Sequence, residues 1–283
     1  MQRHLLAVMF SGWVSTLLAQ SITPPQVLQI FRETIKEGKG AAHRKIEHDY
    51  AGTFRRHKIP YYYLALGVES GPGEVWFVEA LPSFAAMEEF DKLTDKAPLK
   101  GELELLDARD GEVRTSSRGM TAVLMKDSSY IPTNGDLTLA KTRYINVDTY
   151  RVRQGHDDGF QSGGKLFVDA MKKTNYPYPV FAYQVAAGAP TGTYLIISPM
   201  SSLKLLDEQD TWNGKFREAM GPTNFDRLMK NTGDVFQNME TTIFAVSPEM
   251  SYVSKETEDG DPDFWRPKAA VTAAPAKPKE KGQ

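Results

Sequence analysis

The chain has 283 residues, of which 41% are hydrophobic and 25% charged, and its formal net charge is −2. This balance gives no basic face for nucleic acid, so a nucleic-acid partner is not expected. The chain has no cysteine, which excludes disulfides, thiolate metal sites and a cysteine nucleophile. The length suits one large domain or two small ones.

Residues 1–20 have the pattern of a secretory signal peptide. Arg3 and His4 precede the apolar run Leu5–Leu18, and Ala19 offers a small residue for cleavage. The alternative is an N-terminal membrane anchor, but the run is short for a span of about 20 apolar residues. We therefore predict cleavage near Ala19, export to the periplasm or beyond, and no membrane span in the mature chain.

The first half of the chain alternates strand and helix patterns. Apolar periodicity, turn residues and capping residues define each element. The predicted elements are strand Val27–Ile35, helix Lys39–Lys58, strand Tyr61–Val68, strand Val75–Leu81, helix Phe84–Leu93, a second helix within Gly111–Lys126, and a closing strand that begins at Ser129.

The second half repeats this order. When the two halves are aligned, Gly38 corresponds to Gly155 with a shift of 117 residues. Small insertions increase the shift to 119 and then to 122, at which Ser129 corresponds to Ser251. Agreement in order with only small insertions indicates an internal duplication. The predicted elements are strand Tyr144–Val152, helix Asp157–Lys173, hairpin Val180–Ala186 and Thr193–Pro199, helix Asn224–Met239, and strand Met250–Val253.

The order β-α-β-β-α-β in each half is the ferredoxin-like arrangement. Two such units resemble the dimeric α/β-barrel superfamily in its fused, tandem form. The resemblance implies an α+β fold in which two antiparallel sheets face each other and helices lie outside. It divides the mature chain into unit one (21–131), a connection (132–143), unit two (144–253) and a polar Ala/Pro/Lys tail, largely disordered (254–283). Members include monooxygenases, haem-dependent enzymes and proteins without assigned activity, so the resemblance constrains function weakly.

One face of the first helix carries candidate site residues. His43, Glu47 and Tyr50 share this face, where unit two has Phe160, Gly164 and Phe167. A carboxylate at i+4 can bond the imidazole and make it a poised base; the alternative is a structural His–Glu pair. The functional interpretation predicts that His43→Phe leaves the melting temperature unchanged or raises it. No third metal ligand is marked, so no metal site is expected, and no cofactor is identified.

The first strand of each unit suggests a second candidate region. Leu28 and Ile30, like their counterparts Ile145 and Val147, form an apolar face that we expect to meet the helices. The opposite face would then line the barrel interior and bind a polar or planar ligand, or form a polar interface between the units. Its candidate ligand-binding residues are Gln29, Asn146 and Asp148.

These observations favour a small-molecule-binding protein with its pocket in the barrel or between helix and sheet. One alternative is a monooxygenase-like or haem-dependent oxidative enzyme that uses His43 and Glu47. Another is a cell-envelope interaction protein, for which the aromatic pair Phe264 and Trp265 in the tail would be the contact. The same pair can instead dock on the protein's own surface.

Overall fold

The computed structural model describes residues 22–230 and 232–266. The predicted signal peptide and the last part of the predicted tail lie outside these residues. None of the helices in the described ranges is both long enough and apolar enough to cross a membrane.

Unit one contains four strands and three helices. Lys58 ends the first helix in a left-handed conformation, just before Pro60, and the Ser83 side chain caps the second by accepting a bond from the Ala86 amide. The elements are β1 (Val27–Ile35), α1 (Gly40–His57), β2 (Tyr62–Ser70), β3 (Glu74–Leu81), α2 (Phe84–Thr94), α3 (Leu99–Gly111) and β4 (Arg114–Leu124).

Unit two has the same order, with more helical turns before its last strand. Two short helices from the predicted tail follow it. The elements are β5 (Tyr144–Val152), α4 (Asp157–Lys173), β6 (Phe181–Ala187), β7 (Thr193–Met200), α5 (Gln209–Met220), α6 (Pro222–Lys230), α7 (Thr232–Val235), β8 (Phe236–Tyr252), α8 (Lys255–Gly260) and α9 (Pro262–Trp265).

The eight strands form one closed antiparallel barrel. Their order around it is β1-β3-β2-β8-β5-β7-β6-β4, so β1 and β5 lie four strands apart. The pairs β2–β8 and β4–β6 join the two units and leave neither sheet with a free edge. This confirms the predicted α+β fold of two fused ferredoxin-like units.

Equivalent residues make equivalent bonds in the two units. Ser129 Oγ accepts from the Ala182 amide and Ser251 Oγ from the Ala65 amide, each at 2.9 Å. The hydroxyl of the following tyrosine, Tyr130 or Tyr252, donates to a backbone carbonyl at 2.7 Å in both units. The duplication therefore extends to individual side chains.

The closing strands begin much earlier than predicted. Unit one closes with β4, which lies inside the segment predicted as a helix, and its helix α3 ends at Gly111, where that segment begins. In unit two, β8 likewise begins at Phe236, inside the predicted Asn224–Met239 helix. The first half of each strand is rich in polar residues and largely exposed, so it lacks the alternation that identifies a strand.

The barrel core corrects the prediction for the strand faces. Leu28, Ile30, Ile145 and Val147 point inward and pack with apolar residues of the other strands, while the polar face of each strand points outward. An eight-stranded barrel is just wide enough for side chains to fill it, so the apolar face takes the interior. Alternation distinguishes two faces of a strand but does not say which one faces the barrel axis.

One end of the barrel is covered by the beginning of the predicted tail. Trp265 is buried, packs with the barrel core and donates its indole N–H to the Ala140 carbonyl at 3.0 Å. Asp261 forms ion pairs with Lys141 and Arg143 just before β5. Residues 254–266 therefore pack on the barrel, and the aromatic pair docks on the protein itself.

Candidate functional site

Five ionisable side chains meet between the sheet and the helices of unit one. Glu33 comes from the end of β1, His43 and Glu47 from the first turns of α1, Asp110 from the last turn of α3, and Arg114 from the start of β4. The His43 side chain is only 1% exposed. We call these five residues the unit-one cluster.

Three carboxylates surround the imidazole. His43 Nε2 lies 3.1 Å from Glu33 Oε2, 3.7 Å from Glu47 Oε1 and 3.6 Å from Asp110 Oδ1. Arg114 binds the far side of two of them, contacting Glu33 Oε1 and lying 2.8 Å from Asp110 Oδ2. Glu33 and Asp110 therefore each direct one oxygen to the guanidinium and the other to His43.

The carboxylates of the cluster differ in acidity because their partners differ. Burial and the charges of Glu33 and Asp110 raise the pKa of Glu47 to about 9. Burial acts in the same direction on Glu33, but its bonds to His43 and Arg114 outweigh it and lower the Glu33 pKa. Burial and the Glu33 charge raise the pKa of Asp110. At neutral pH Glu47 therefore holds a proton, while Glu33 is the anion.

One oxygen of the cluster lacks a hydrogen-bond donor among the described residues. Asp110 Oδ1 is buried and accepts no hydrogen bond within the described part of the chain, although the Asp110 side chain is only 2% exposed. An unsatisfied buried acceptor costs about 1–3 kcal/mol. The ligand atoms of Glu33, His43, Glu47 and Asp110 all lie within 4.8 Å of one another.

Unit two fills the equivalent space with aromatic rings. Tyr150 and Phe236 stack at 4.9 Å between ring centroids, and Phe160 lies 5.6 Å from Tyr150 and 5.9 Å from Phe236. The same fold thus holds an ionic cluster in one unit and an apolar cluster in the other. The residues equivalent to Glu33, His43, Glu47, Asp110 and Arg114 are, respectively, Tyr150, Phe160, Gly164, Thr232 and Phe236.

The predicted ligand-binding residues do not form one site. His43 and Glu47 are in the cluster, and Tyr50 lies beside it, where its hydroxyl donates to Asp107 and not to either of them. The other three are on outward faces of β1 and β5, which lie on opposite sides of the barrel. Gln29 accepts a bond from Thr121 at 2.6 Å, and Asn146 donates to Asp148 at 3.1 Å.

The expectation of no metal site rested on the lack of a third ligand, and the structure removes that reason. Glu33 and Asp110 supply the third and fourth candidate ligand atoms. Glu33 was missed because its face of β1 was expected inside the barrel. Asp110 was missed because α3 was placed too late in the chain. The i, i+4 spacing of Asp110 and Arg114, an acid and a base, was the available signal.

A second candidate site is a cavity at the barrel end opposite Trp265. Its volume is about 490 Å³, and Met120 and Leu195 of the barrel core line part of it. Two arginines also line it: Arg32 is paired with Glu74 at 2.7 Å, whereas Arg151 bonds only the Thr193 hydroxyl, at 3.3 Å, among the described residues. The other lining residues are Thr149, Ala189, Pro190, Gln237 and Asn238.

The unit-one cluster does not fit a haem ligated by His43. A haem ligand must present its ring nitrogen to an open slot wide enough for the porphyrin. His43 Nε2 faces three carboxylates instead, and its side chain is 1% exposed. The cavity at the barrel end has no histidine in its lining.

Comparison with known proteins gives likeness in structure alone. No family model matches the chain, and no curated protein is significantly similar to it in sequence. A candidate monooxygenase from Fusobacterium nucleatum superposes with a TM-score of 0.51 at 11% identity, covering 80% of this chain and 94% of its own. A double mutant of chlorite dismutase from Candidatus Nitrospira defluvii gives 0.50 at 11% identity, covering 85% and 98%.

Such low identities establish the fold but no activity. Both neighbours are members of the superfamily that the order of elements and the internal duplication predicted. The chain has the fold of the dimeric α/β-barrel superfamily, in its fused, tandem form.

Proposed function

We propose that this is an exported protein that binds a small anionic molecule in the cavity at the open end of the barrel. The observation that carries the proposal is the guanidinium of Arg151. It lines a cavity and has no carboxylate within ion-pair distance among the described residues. Export is proposed from the charged start and apolar run of residues 1–20.

The chemistry of the lining indicates the class of ligand. A guanidinium carries five N–H donors in a planar fork that matches a carboxylate or another oxyanion. One of these donors is directed at Thr193, which leaves the others for a ligand. Because Arg32 is already neutralised by Glu74, it contributes less to binding an anion.

The volume and the lining of the cavity further restrict the class of ligand. A volume of about 490 Å³ is within the range of small-molecule sites. Met120 and Leu195 provide an apolar surface, and Thr149 and Asn238 provide polar groups in the lining. We therefore propose an organic anion that has an apolar part, with its charged group at Arg151.

The other candidate functions have less support. An oxidative enzyme that uses His43 and Glu47 needs both to reach a substrate, and both side chains are less than a tenth exposed. An interaction protein that uses Phe264 and Trp265 needs a free aromatic pair. Trp265 is 5% exposed, and Phe264 packs against the guanidinium of Arg143 at 3.8 Å.

The test compares Arg151 with a nearby arginine outside the cavity. Small molecules released by denaturing the protein from its native host would be identified by mass spectrometry, and a panel of mono- and dicarboxylates would be titrated by calorimetry. We expect an anion that binds the wild type and loses at least about tenfold in affinity with Arg151→Gln, since a charged hydrogen bond contributes about 1.5–3 kcal/mol.

Arg153→Gln is the matched control. Arg153 is exposed two residues beyond Arg151 and does not line the cavity. Its replacement removes the same charge and should leave the affinity within about twofold, because exposed charges contribute little. Absence of any released or added anion whose binding depends on Arg151 would refute the proposal.

A further inference from the structure

We infer that the unit-one cluster is a binding site for a divalent first-row metal ion, with His43 Nε2 and one oxygen each from Glu33, Glu47 and Asp110 as ligands. One nitrogen and three carboxylate oxygens suit Mn²⁺, Fe²⁺ or Zn²⁺. The inference is independent of the proposed anion site, which lies inside the barrel end, while the cluster lies outside the sheet beneath α1.

The spacing of the four ligand atoms fits a single ion. A metal bonded to nitrogen and oxygen at about 2.0–2.2 Å holds adjacent ligand atoms roughly 3.0–3.6 Å apart. The separations from His43 Nε2 are 3.1, 3.6 and 3.7 Å. The four ligand atoms all lie within 4.8 Å of one another, so an ion at their centre would draw the Glu47 and Asp110 oxygens inward.

The unpartnered oxygen is the second, independent observation. Asp110 Oδ1 is buried, has no hydrogen-bond donor in the described part of the chain, and lies 3.6 Å from His43 Nε2. A metal at the centre of the cluster would satisfy this acceptor. The fold already brings the four side chains together, because α1, α3 and β1 supply them from three directions.

Arg114 orients two of the proposed ligands from outside the metal site. It binds Glu33 Oε1 and Asp110 Oδ2 and leaves Glu33 Oε2 and Asp110 Oδ1 directed at the centre. Residues that bond the outer oxygen of a metal-binding carboxylate fix its orientation. Metal binding would displace the proton of Glu47. Three ionised carboxylates, the guanidinium and a divalent ion then have a total charge of zero.

Unit two shows what this position contains without ligands. At the equivalent positions, Tyr150, Phe160 and Phe236 pack their rings together. The fold therefore does not require polar groups here. Among the described residues, the four candidate ligands occur together in unit one only.

The experiment measures metal content and affinity of the full-length mature chain. The protein is stripped with a chelator, checked for its fold by circular dichroism, and titrated separately with Mn²⁺, Co²⁺ and Zn²⁺ by calorimetry and elemental analysis. We expect one ion per chain, a higher melting temperature with metal, and visible Co²⁺ absorption typical of a site with nitrogen and oxygen ligands.

The variants are His43→Ala and Asp110→Asn. Losing a group that only supports a ligand lowers metal affinity by about 10–100-fold. Losing a ligand itself should cost more, so we expect each variant to lower metal affinity about 100-fold or more. His57→Ala is the matched control. His57 is on the same helix and pairs with Glu102 at 2.9 Å, but on the surface, so affinity should not change.

Two results would overturn the inference. One is a folded, stripped wild type that takes up no stoichiometric ion from any of the three titrations. The other is binding that His43→Ala leaves as tight as in the wild type, which would place the ion on surface carboxylates. If His43→Ala does not fold, the titration and the Co²⁺ spectrum of the wild type alone decide the question.

Discussion

Replacing His43 by phenylalanine tests what holds the unit-one cluster together in the metal-free protein. The functional interpretation of His43 predicts that the melting temperature stays the same or rises, whereas a structural pair predicts a loss. The contacts favour a loss, because His43 is the hydrogen-bond partner of Glu33 at 3.1 Å and lies among three buried carboxylates. Phenylalanine would leave Arg114 as their only basic contact within the cluster.

The size of the effect follows from these contacts. A hydrogen bond to a charged group contributes about 1.5–3 kcal/mol, and breaking a buried ion pair costs about 3–5 kcal/mol. Since Arg114 still contacts Glu33 and Asp110, we expect His43→Phe to lower the free energy of unfolding by about 3 kcal/mol, at the lower end of that range. Urea denaturation in the presence of a chelator measures it.

Two further variants separate the ionic effect from the change in ring. His57→Phe breaks a His–carboxylate pair on the surface of the same helix and should cost less than about 1 kcal/mol. Exchanging the whole cluster for uncharged, mostly apolar residues should restore stability, because replacing buried ion pairs by well-packed hydrophobic residues is often neutral or stabilising. The exchange is Glu33→Tyr, His43→Phe, Glu47→Ala, Asp110→Thr and Arg114→Phe. A loss below about 1 kcal/mol for His43→Phe alone would refute the reasoning.

Three other predictions concern the rest of the fold. Burial and the charge of Asp91 raise the pKa of Glu79 to about 8. The folded state therefore keeps a proton that the unfolded chain releases near the ordinary pKa of 4.5, and the stability of the fold decreases as the pH rises between these two values. Glu79→Gln should remove this dependence of stability on pH and raise the unfolding free energy at pH 8 by about 1–2 kcal/mol, a modest effect because Glu79 is only half-buried. Denaturation curves from pH 4 to 9 that show the same pH dependence as the wild type would contradict the prediction. Trp265→Ala should lower the unfolding free energy by about 3–5 kcal/mol in urea titrations, and a loss under about 1 kcal/mol would mean that the end segment does not contribute to the core. Ser251→Ala should destabilise the protein by about 1–3 kcal/mol and Ser129→Ala by about 1 kcal/mol. Both substitutions remove equivalent hydrogen bonds, but Ser251 is the more buried of the two. A larger loss for Ser129→Ala in thermal melts would contradict this prediction.

The order of elements was predictable because each is encoded locally. Val27–Ile35, Tyr144–Val152 and Asp157–Lys173 have the bounds that the sequence indicated, since apolar periodicity is continuous along each of them. The duplication supplied the remaining constraint, because two copies of one pattern reduce the number of possible topologies. The fold class followed from these two signals without any catalytic motif.

The site was less predictable because its residues come from four separate elements. His43 and Glu47 share one helix face, so their proximity could be read from the spacing. Glu33 and Asp110 join them only through the packing of β1 and α3, which depends on which strand face meets the helices. Arg151 carried no signal, because an arginine near the end of a strand is ordinary until the barrel closes around it.

The two units together separate what the fold needs from what a site needs. Both pack helices on the outside of a sheet, and both have a space where the end of the first strand meets the first helix. Unit two fills this space with rings, which stabilise by burial alone. Unit one places there three carboxylates, an imidazole and a guanidinium, which must be desolvated. Within the described ranges, Asp110 Oδ1 still has no hydrogen-bond donor. Since the second unit demonstrates that the same architecture forms without these groups, the requirement for them lies outside the fold. A bound cation accounts for the ligand set, the directed oxygens and the unpartnered atom together.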